Sequence, residues 1–234
     1  MQRIARLLCL ALACLALSAC YERHEWRQKL TVVVDTPDGK VSGSAVVQVN
    51  ATYWGQLPPT GTEVEYDIRG EATVVEVAPG RYLFVLLGGS AERFKAYSGD
   101  RFRGMKRQEW LREIPRQTEP VTIPLENAPM MVTFLDINDP ASVREVDPEN
   151  IAEVFGAGFN IERMTLEVTD DPVTAGTLEP LLNWWFREEL WPDQTIMSLQ
   201  LPDDSPRGWR SISRTRFWSL DLLFELREKY DDDL

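Results

Sequence analysis

Apolar and polar residues alternate from Val41 to Tyr53, with Ala45, Val47 and Val49 on one side of the chain. That is the period of a half-buried strand. Leu30–Val34 is a β-branched run before it, and Pro37-Asp38-Gly39 between them is a turn, because Pro presets φ and Gly accepts positive φ. Alternation returns over Val64–Ile68. Ala72–Val77 and Arg81–Leu87, joined by Pro79-Gly80, predict a hairpin. Val121–Leu125 predicts a closing strand, and Pro120, Pro124 and Pro129 around it mark a boundary.

The later chain mixes periods. Met130–Leu135 and Ile161–Val168 predict strands. Pro148–Phe155 predicts a short helix that Gly156 and Gly158 end. Thr177–Leu190 predicts a helix with Pro180 in its first turn. Ser219–Tyr230 predicts another, with Leu220, Leu223, Phe224 and Leu226 on one side. Met105–Glu113 predicts a further helix with Met105, Trp110 and Leu111 inward. The expected fold class is α+β: a β-rich, sandwich-like N-terminal half over residues 30–127, then a smaller mixed α/β half over residues 128–234. Residues 20–29, polar apart from Trp26, are expected to be a tether.

Gly70–Val85, with its Pro-Gly turn ahead of the Tyr82 strand, resembles the end of a transthyretin-like or carboxypeptidase-regulatory sandwich. The resemblance implies a sandwich and nothing about activity.

The first twenty residues follow a different rule. Arg3 and Arg6 precede an apolar run from Leu7 to Ala16, and Leu17-Ser18-Ala19-Cys20 follows. A charged head, an apolar middle and small residues at the cut make a secretory signal over residues 1–19. The last four residues resemble the lipobox of bacterial lipoproteins. The resemblance implies that the Cys20 sulfur receives a diacylglycerol, that cleavage falls before Cys20, and that its new amino group is acylated, with palmitate among the chains. Leu7–Ala19 is 13 residues, short of the ~20 that span a bilayer as a helix. The implied place is the cell envelope, lipid-anchored and facing the periplasm or the exterior. Tyr21 in place of an Asp after Cys20 favours the outer membrane by the enterobacterial sorting rule.

The chain's net charge is −12, and loss of Arg3 and Arg6 with the signal takes it to −14. Such a polyanion is not built to grip nucleic acid, whose phosphates demand Lys and Arg. Neither a nucleic acid nor a nucleotide is expected as a partner. The expected partners are the membrane, through the lipid, and a protein of the envelope. All three cysteines, Cys9, Cys14 and Cys20, lie in the signal or at the lipid site. The body therefore has no disulfide and no thiol nucleophile. His24 is the sole histidine and falls in the expected tether, which removes a Ser-His-Asp triad or a His/Cys zinc site from the fold. There are five lysines and no Ser-x-x-Lys motif.

Three clusters are candidates for chemistry. Between Glu126 and Glu179 there are twelve acids and two bases. Asp136, Asp139, Asp147 and Glu149 are the candidate ligands for calcium, which takes oxygen donors, although Asp, Asn and Pro there equally suit turns and helix caps. Asp136, Asp139, Asp170 and Asp171 are formally eligible as a glycosidase pair, which makes a carboxylate-based hydrolase of envelope glycans the rival to a non-catalytic role. Trp184 and Trp185 are candidate binding residues. Helical neighbours sit ~100° apart, so one of the two is expected to be exposed for a sugar ring or a protein partner, and Trp191, Trp209 and Trp218 extend the aromatic group. Finally, residues 91–116 carry eight bases against four acids. They read either as a patch for an anionic partner or as charges that balance the acidic body.

Overall fold

The structure, a computed structural model, describes residues 21–55, 63–88, 92–186, 198–207 and 209–231. It is α+β, with a β-rich sandwich-like N-terminal half and a smaller mixed α/β C-terminal part. Residues 1–20, with the signal and Cys20, lie outside the described residues, as do 187–197 with Trp191.

Two long strands make the spine. β1 (Glu22–Thr36) and β2 (Gly39–Tyr53) pair antiparallel over their full lengths across the expected turn. β3 (Val64–Arg69) pairs with the second half of β2. β4 (Thr73–Ala78) and β5 (Arg81–Val85) form the expected hairpin. Two short helices follow, α1 (Arg93–Tyr97) and α2 (Arg107–Glu113), then the short strand β6 (Val121–Thr122). β7 (Met131–Phe134) and β8 (Val143–Val146) join β5, whereas β9 (Asn160–Val168), which follows the one-turn helix α3 (Ala152–Phe155), returns to pair with β1 and β6. The sheet orders are β3-β2-β1-β9-β6 and β4-β5-β7-β8. Both sheets therefore cross the division expected at residues 127 and 128. A small ribbon, β10 (Ser198–Gln200) with β11 (Ser211–Ser213), and helix α4 (Leu220–Asp231) complete the fold.

The period-two pattern explains the layers. On β1, Trp26, Leu30, Val32 and Val34 face the second sheet and meet Leu83, Val85 and Met131. Phe94, Trp110, Leu111 and Ile114, from α1, α2 and the turn after it, join the same core. The alternate residues of the second sheet, Phe84, Leu86, Val132 and Phe134, point away from it and are buried as well. They pack on Trp184, Trp185, Phe217 and Trp218 of the C-terminal part. A sheet buried on both faces reads as continuous hydrophobics, which is how Tyr82–Leu87 reads. The C-terminal part is thus a third layer over the second sheet.

Two close approaches shape the crossover from one sheet to the next. A Cβ on Gly70, which has φ +146°, would stand 2.7 Å from Val47 Cγ1. One on Gly43 would stand 2.0 Å from the Val74 carbonyl oxygen, where the leading half of β2 meets β4. Between these contacts lies Glu71, fully buried. Its carboxylate accepts the N–H groups of Thr177 (2.8 Å) and Leu178 (3.4 Å). The Ser219 hydroxyl accepts the Gly70 N–H (3.1 Å), and Ala72 N–H donates to the Phe217 carbonyl (2.7 Å). The crossover is therefore the seam that holds the C-terminal layer.

Several elements depart from sequence expectation. Residues 22–29 are not a tether but the first half of β1, with Trp26 and Gln28 buried. Thr177–Leu182 is turn and bend rather than helix, with its first amides held by Glu71; a 3₁₀ turn at Asn183–Phe186 follows, and residues 187–190 lie outside the described residues. On α4 the buried pair is Leu222 and Leu223, while Leu220 and Phe224 are exposed. Met105, expected inward, is exposed because α2 starts only at Arg107.

Replacing Glu71 with Ala leaves the buried Leu178 amide and the part-buried Thr177 amide without their acceptor, at ~1–3 kcal/mol for a buried group. The urea midpoint should fall by a corresponding amount, and tryptophan emission, reporting Trp184, Trp185 and Trp218, should shift to longer wavelength first. An unchanged midpoint would contradict the seam.

Candidate functional site

The four calcium candidates occupy two turns at opposite ends of β8. Asp136 Oδ1 accepts the Asn138 N–H (2.9 Å) and Asp139 Oδ1 accepts the Ala141 N–H (2.9 Å), with the Ser142 hydroxyl donating to the Asp136 carbonyl (2.8 Å). Beyond the strand, Asp147 Oδ1 accepts the Glu149 N–H (3.0 Å), and Glu149 is exposed. These are the local side-chain-to-backbone bonds that turns require. The structure does not bring the two pairs together, and among the described residues no three His, Cys, Asp or Glu side chains form a group fit for a metal ion. Asp170 and Asp171 lie elsewhere, beside Arg27 and Lys29 on β1, with Lys29 Nζ 2.9 Å from Asp171 Oδ2.

Trp184 and Trp185 are both buried, 3% and 1% exposed, so the expected exposed partner does not exist. They stack on each other at 5.0 Å with 15° between planes. Trp184 meets Phe134 edge-on (5.7 Å) and donates its indole N–H to the Ile137 carbonyl (2.8 Å). Trp185 meets Phe217 (5.0 Å) and Trp218 (5.8 Å) edge-on. The physical reason is the layer beneath: both faces of the second sheet are apolar, and the 3₁₀ turn lays its rings over one of them. Neither ring offers a face to a sugar. Trp209, by contrast, is 41% exposed, with the Arg216 guanidinium 5.5 Å from its ring centre.

The basic stretch dissolves into pairs. Arg112 binds Glu22 with two bonds (Nε 3.0 Å, Nη2 2.6 Å), Arg107 approaches Glu63 (3.7 Å), Arg101 approaches Glu119 (3.5 Å), Arg116 approaches Glu113 (2.5 Å), and Arg103 pairs with Asp100. Lys95 lies over Trp110 (5.7 Å). Arg93 turns inward and donates to the carbonyls of Leu86 (3.3 Å) and Gly88. Loss of water, with the Arg216 charge nearby, pushes its side chain down to about 10. This arrangement is charge balance with the acidic body rather than one open cationic patch.

Between the sheets, Gln28, Glu71, Thr73 and Arg93 line a cavity with Leu30 and Val85. Its volume is about 20 Å³, room for about one water and not for a substrate.

One end of the sandwich gathers features that the sequence did not announce. Tyr21 leads into β1, 45% exposed, its ring 5.4 Å from that of Trp54 at the end of β2, with the Arg23 guanidinium 5.2 Å from the Tyr21 ring centre. Glu22 receives Arg112 and Gln108 from α2. Those bonds, Arg112 first, hold its carboxyl below the usual range. The next inward residue is His24, its Nε2 3.5 Å from Glu22 Oε2 and its side chain 11% exposed. Burial pushes the imidazole down, against the pull of Glu22. His24 is therefore a strand residue favouring its neutral form, not a solvated tether residue. The signal that would have revealed this strand is hidden because the inward positions Glu22, His24 and Gln28 are polar and break the alternation.

A second buried titratable group is Glu145 on β8, 4% exposed. One oxygen accepts the Arg207 N–H (3.3 Å), and the other has no hydrogen-bond partner among the described residues. Burial raises its pKa.

Comparison with protein-family models, with curated proteins and with solved structures finds no match to this chain.

The two shifts give opposite pH slopes. With its folded pKa below the unfolded ~6.5, His24 takes up its proton more readily when unfolded. Its contribution falls as pH drops through that value and levels off below the folded pKa. Glu145, raised above the usual carboxylate value, takes up its proton more readily when folded. Its penalty grows as pH rises through the folded pKa. His24→Gln should flatten the loss of Tm between neutral and mildly acidic pH. Glu145→Gln should change Tm more favourably at neutral pH than below the carboxylate range. Curves parallel to the parent for both variants would contradict these assignments.

Proposed function

We propose that this chain is a lipid-anchored protein of the cell envelope with a non-catalytic binding or scaffolding role at the membrane surface. The observation that carries the reading is the residue series Leu17-Ser18-Ala19-Cys20 directly after a basic head and an apolar run. Acyl chains on Cys20 would supply the attachment, because each buried CH₂ contributes ~0.8 kcal/mol and two or three chains together hold firmly where one holds marginally. The acidic body supports the same reading, since its charge repels anionic headgroups and leaves attachment to the lipid. Tyr21 after Cys20 favours the outer membrane.

The non-catalytic part rests on where the reactive side chains are used. The sole histidine is packed inside a strand beside Glu22. Of the acids eligible as a catalytic pair, Asp136 and Asp139 hold turns, Asp171 pairs with Lys29, and Asp170 stands fully exposed 3.9 Å from Arg27. An envelope protein is the expected partner, since scaffolding at a membrane needs one.

Cells fed labelled palmitate should incorporate it into the parent chain and not into Cys20→Ser. Equal labelling of the two would overturn the anchor.

A further inference from the structure

Resting on the reading of Cys20 as the anchor, we propose that the end of the sandwich carrying Tyr21 docks onto the bilayer itself. In this orientation Tyr21 and Met105 enter the headgroup layer, the half-buried Trp54 ring follows directly behind Tyr21 with its indole N–H covered, and Arg23 and Lys106 meet lipid phosphates.

Geometry leaves little freedom at this end. Strand β1 begins at Glu22, so a single residue, Tyr21, separates it from Cys20. One residue spans at most ~3.6 Å, and acyl chains on Cys20 keep the head of β1 at headgroup depth. Among the described residues, the surface beside Tyr21 is aromatic. Tyr21 is 45% exposed and its ring lies 5.4 Å from that of Trp54. Rings with one apolar and one polar side favour the membrane–water interface. Met105, 41% exposed, and Lys106, also exposed, immediately precede α2, the helix whose Gln108 and Arg112 grip Glu22.

Charge singles out the same end. Arg23, Lys106, Arg107 and Arg112 stand there with Glu22, Glu63, Glu65 and Glu109, so the end is neutral on a chain of net charge −12. The excess negative charge is carried elsewhere on the body. Anionic headgroups repel that body and tolerate this end. Within it, Arg107 and Arg112 are occupied by Glu63 and Glu22, while Arg23 lies over the Tyr21 ring. An arginine and an aromatic ring held together are suited to a phosphate above and apolar chains below.

The test uses the full acylated chain, purified in detergent and reconstituted into phosphatidylethanolamine–phosphatidylglycerol vesicles that carry a nitroxide on a fraction of the headgroups. Flotation reports attachment, and quenching of tryptophan emission reports which ring is at the surface. The parent chain should float and show a quenched component. Trp54→Phe should float equally and lose that component, while Trp209→Phe should keep it. The double variant Tyr21→Ser with Met105→Ser, altered only at exposed positions, should also float with the component diminished. Flotation with quenching that survives in Trp54→Phe and in the double variant overturns the docking and leaves the anchor standing. A parent chain that does not float overturns both.

Discussion

The pairing of β1 is the constraint on which the other parts depend. Its fifteen residues bond to β2 along their whole length and to β9 along the later half, from Gln28 to Asp35. That leaves the first half with one open edge, which an isolated strand would expose to other chains. The open edge is closed locally: α2 lays Gln108 and Arg112 across Glu22, and the Thr169 N–H reaches the Arg27 carbonyl (3.0 Å). The segment rich in Lys and Arg thus has a structural task. It covers the head of the spine and neutralises the acids there.

From this spine the rest follows in layers. The inward face of β1 buries Trp26, Leu30, Val32 and Val34 against the second sheet. The other face of the second sheet is covered as well over Phe84, Val132 and Phe134, where a third layer rich in aromatic residues lies on it, and Phe84, Phe134, Phe217, Trp184 and Trp185 meet at ring distances of 5.0–6.4 Å. With no cysteine after Cys20, packing holds the layers together, aliphatic between the two sheets and largely aromatic in the third layer. Such a molecule commits its rings and most of its acids to its own architecture. What remains at the surface is an acidic body with one neutral, aromatic end, next to the residue that resembles a lipid attachment point.

Much of the fold is legible in the residues. The hairpin around Pro79-Gly80, the alternation of β2 and the runs of β7 and β9 all show their period openly. Elements go unseen where a side chain serves a neighbour rather than its own segment. Glu22, His24 and Gln28 put polar groups on the inward face of β1, so a strand reads as a tether. Thr177 and Leu178 give their amides to Glu71, more than a hundred positions away, and nothing near them in the sequence reveals that partner. Trp184 and Trp185 lie in a 3₁₀ turn over the outer face of the second sheet; the unbroken apolar run Tyr82–Leu87 marks that buried sheet, but no local pattern at 184–185 shows that the two rings cover it. The acids at 136–149 show the reverse: their turn-forming role was legible, because Asp and Asn beside Pro bond their own backbone wherever they occur.

Amide hydrogen exchange on the full chain, read by mass spectrometry over the peptide that begins at Tyr21, tests most directly whether the folded spine starts one residue after Cys20, the proposed anchor. The amides of residues 23–28 bonded to β2 should exchange as slowly as those of residues 30–34. Exchange of the whole stretch at the rate of an open chain, with protection beginning only near Leu30, would contradict it: the body would then hang from a flexible leash, and no end of it would be held to the membrane.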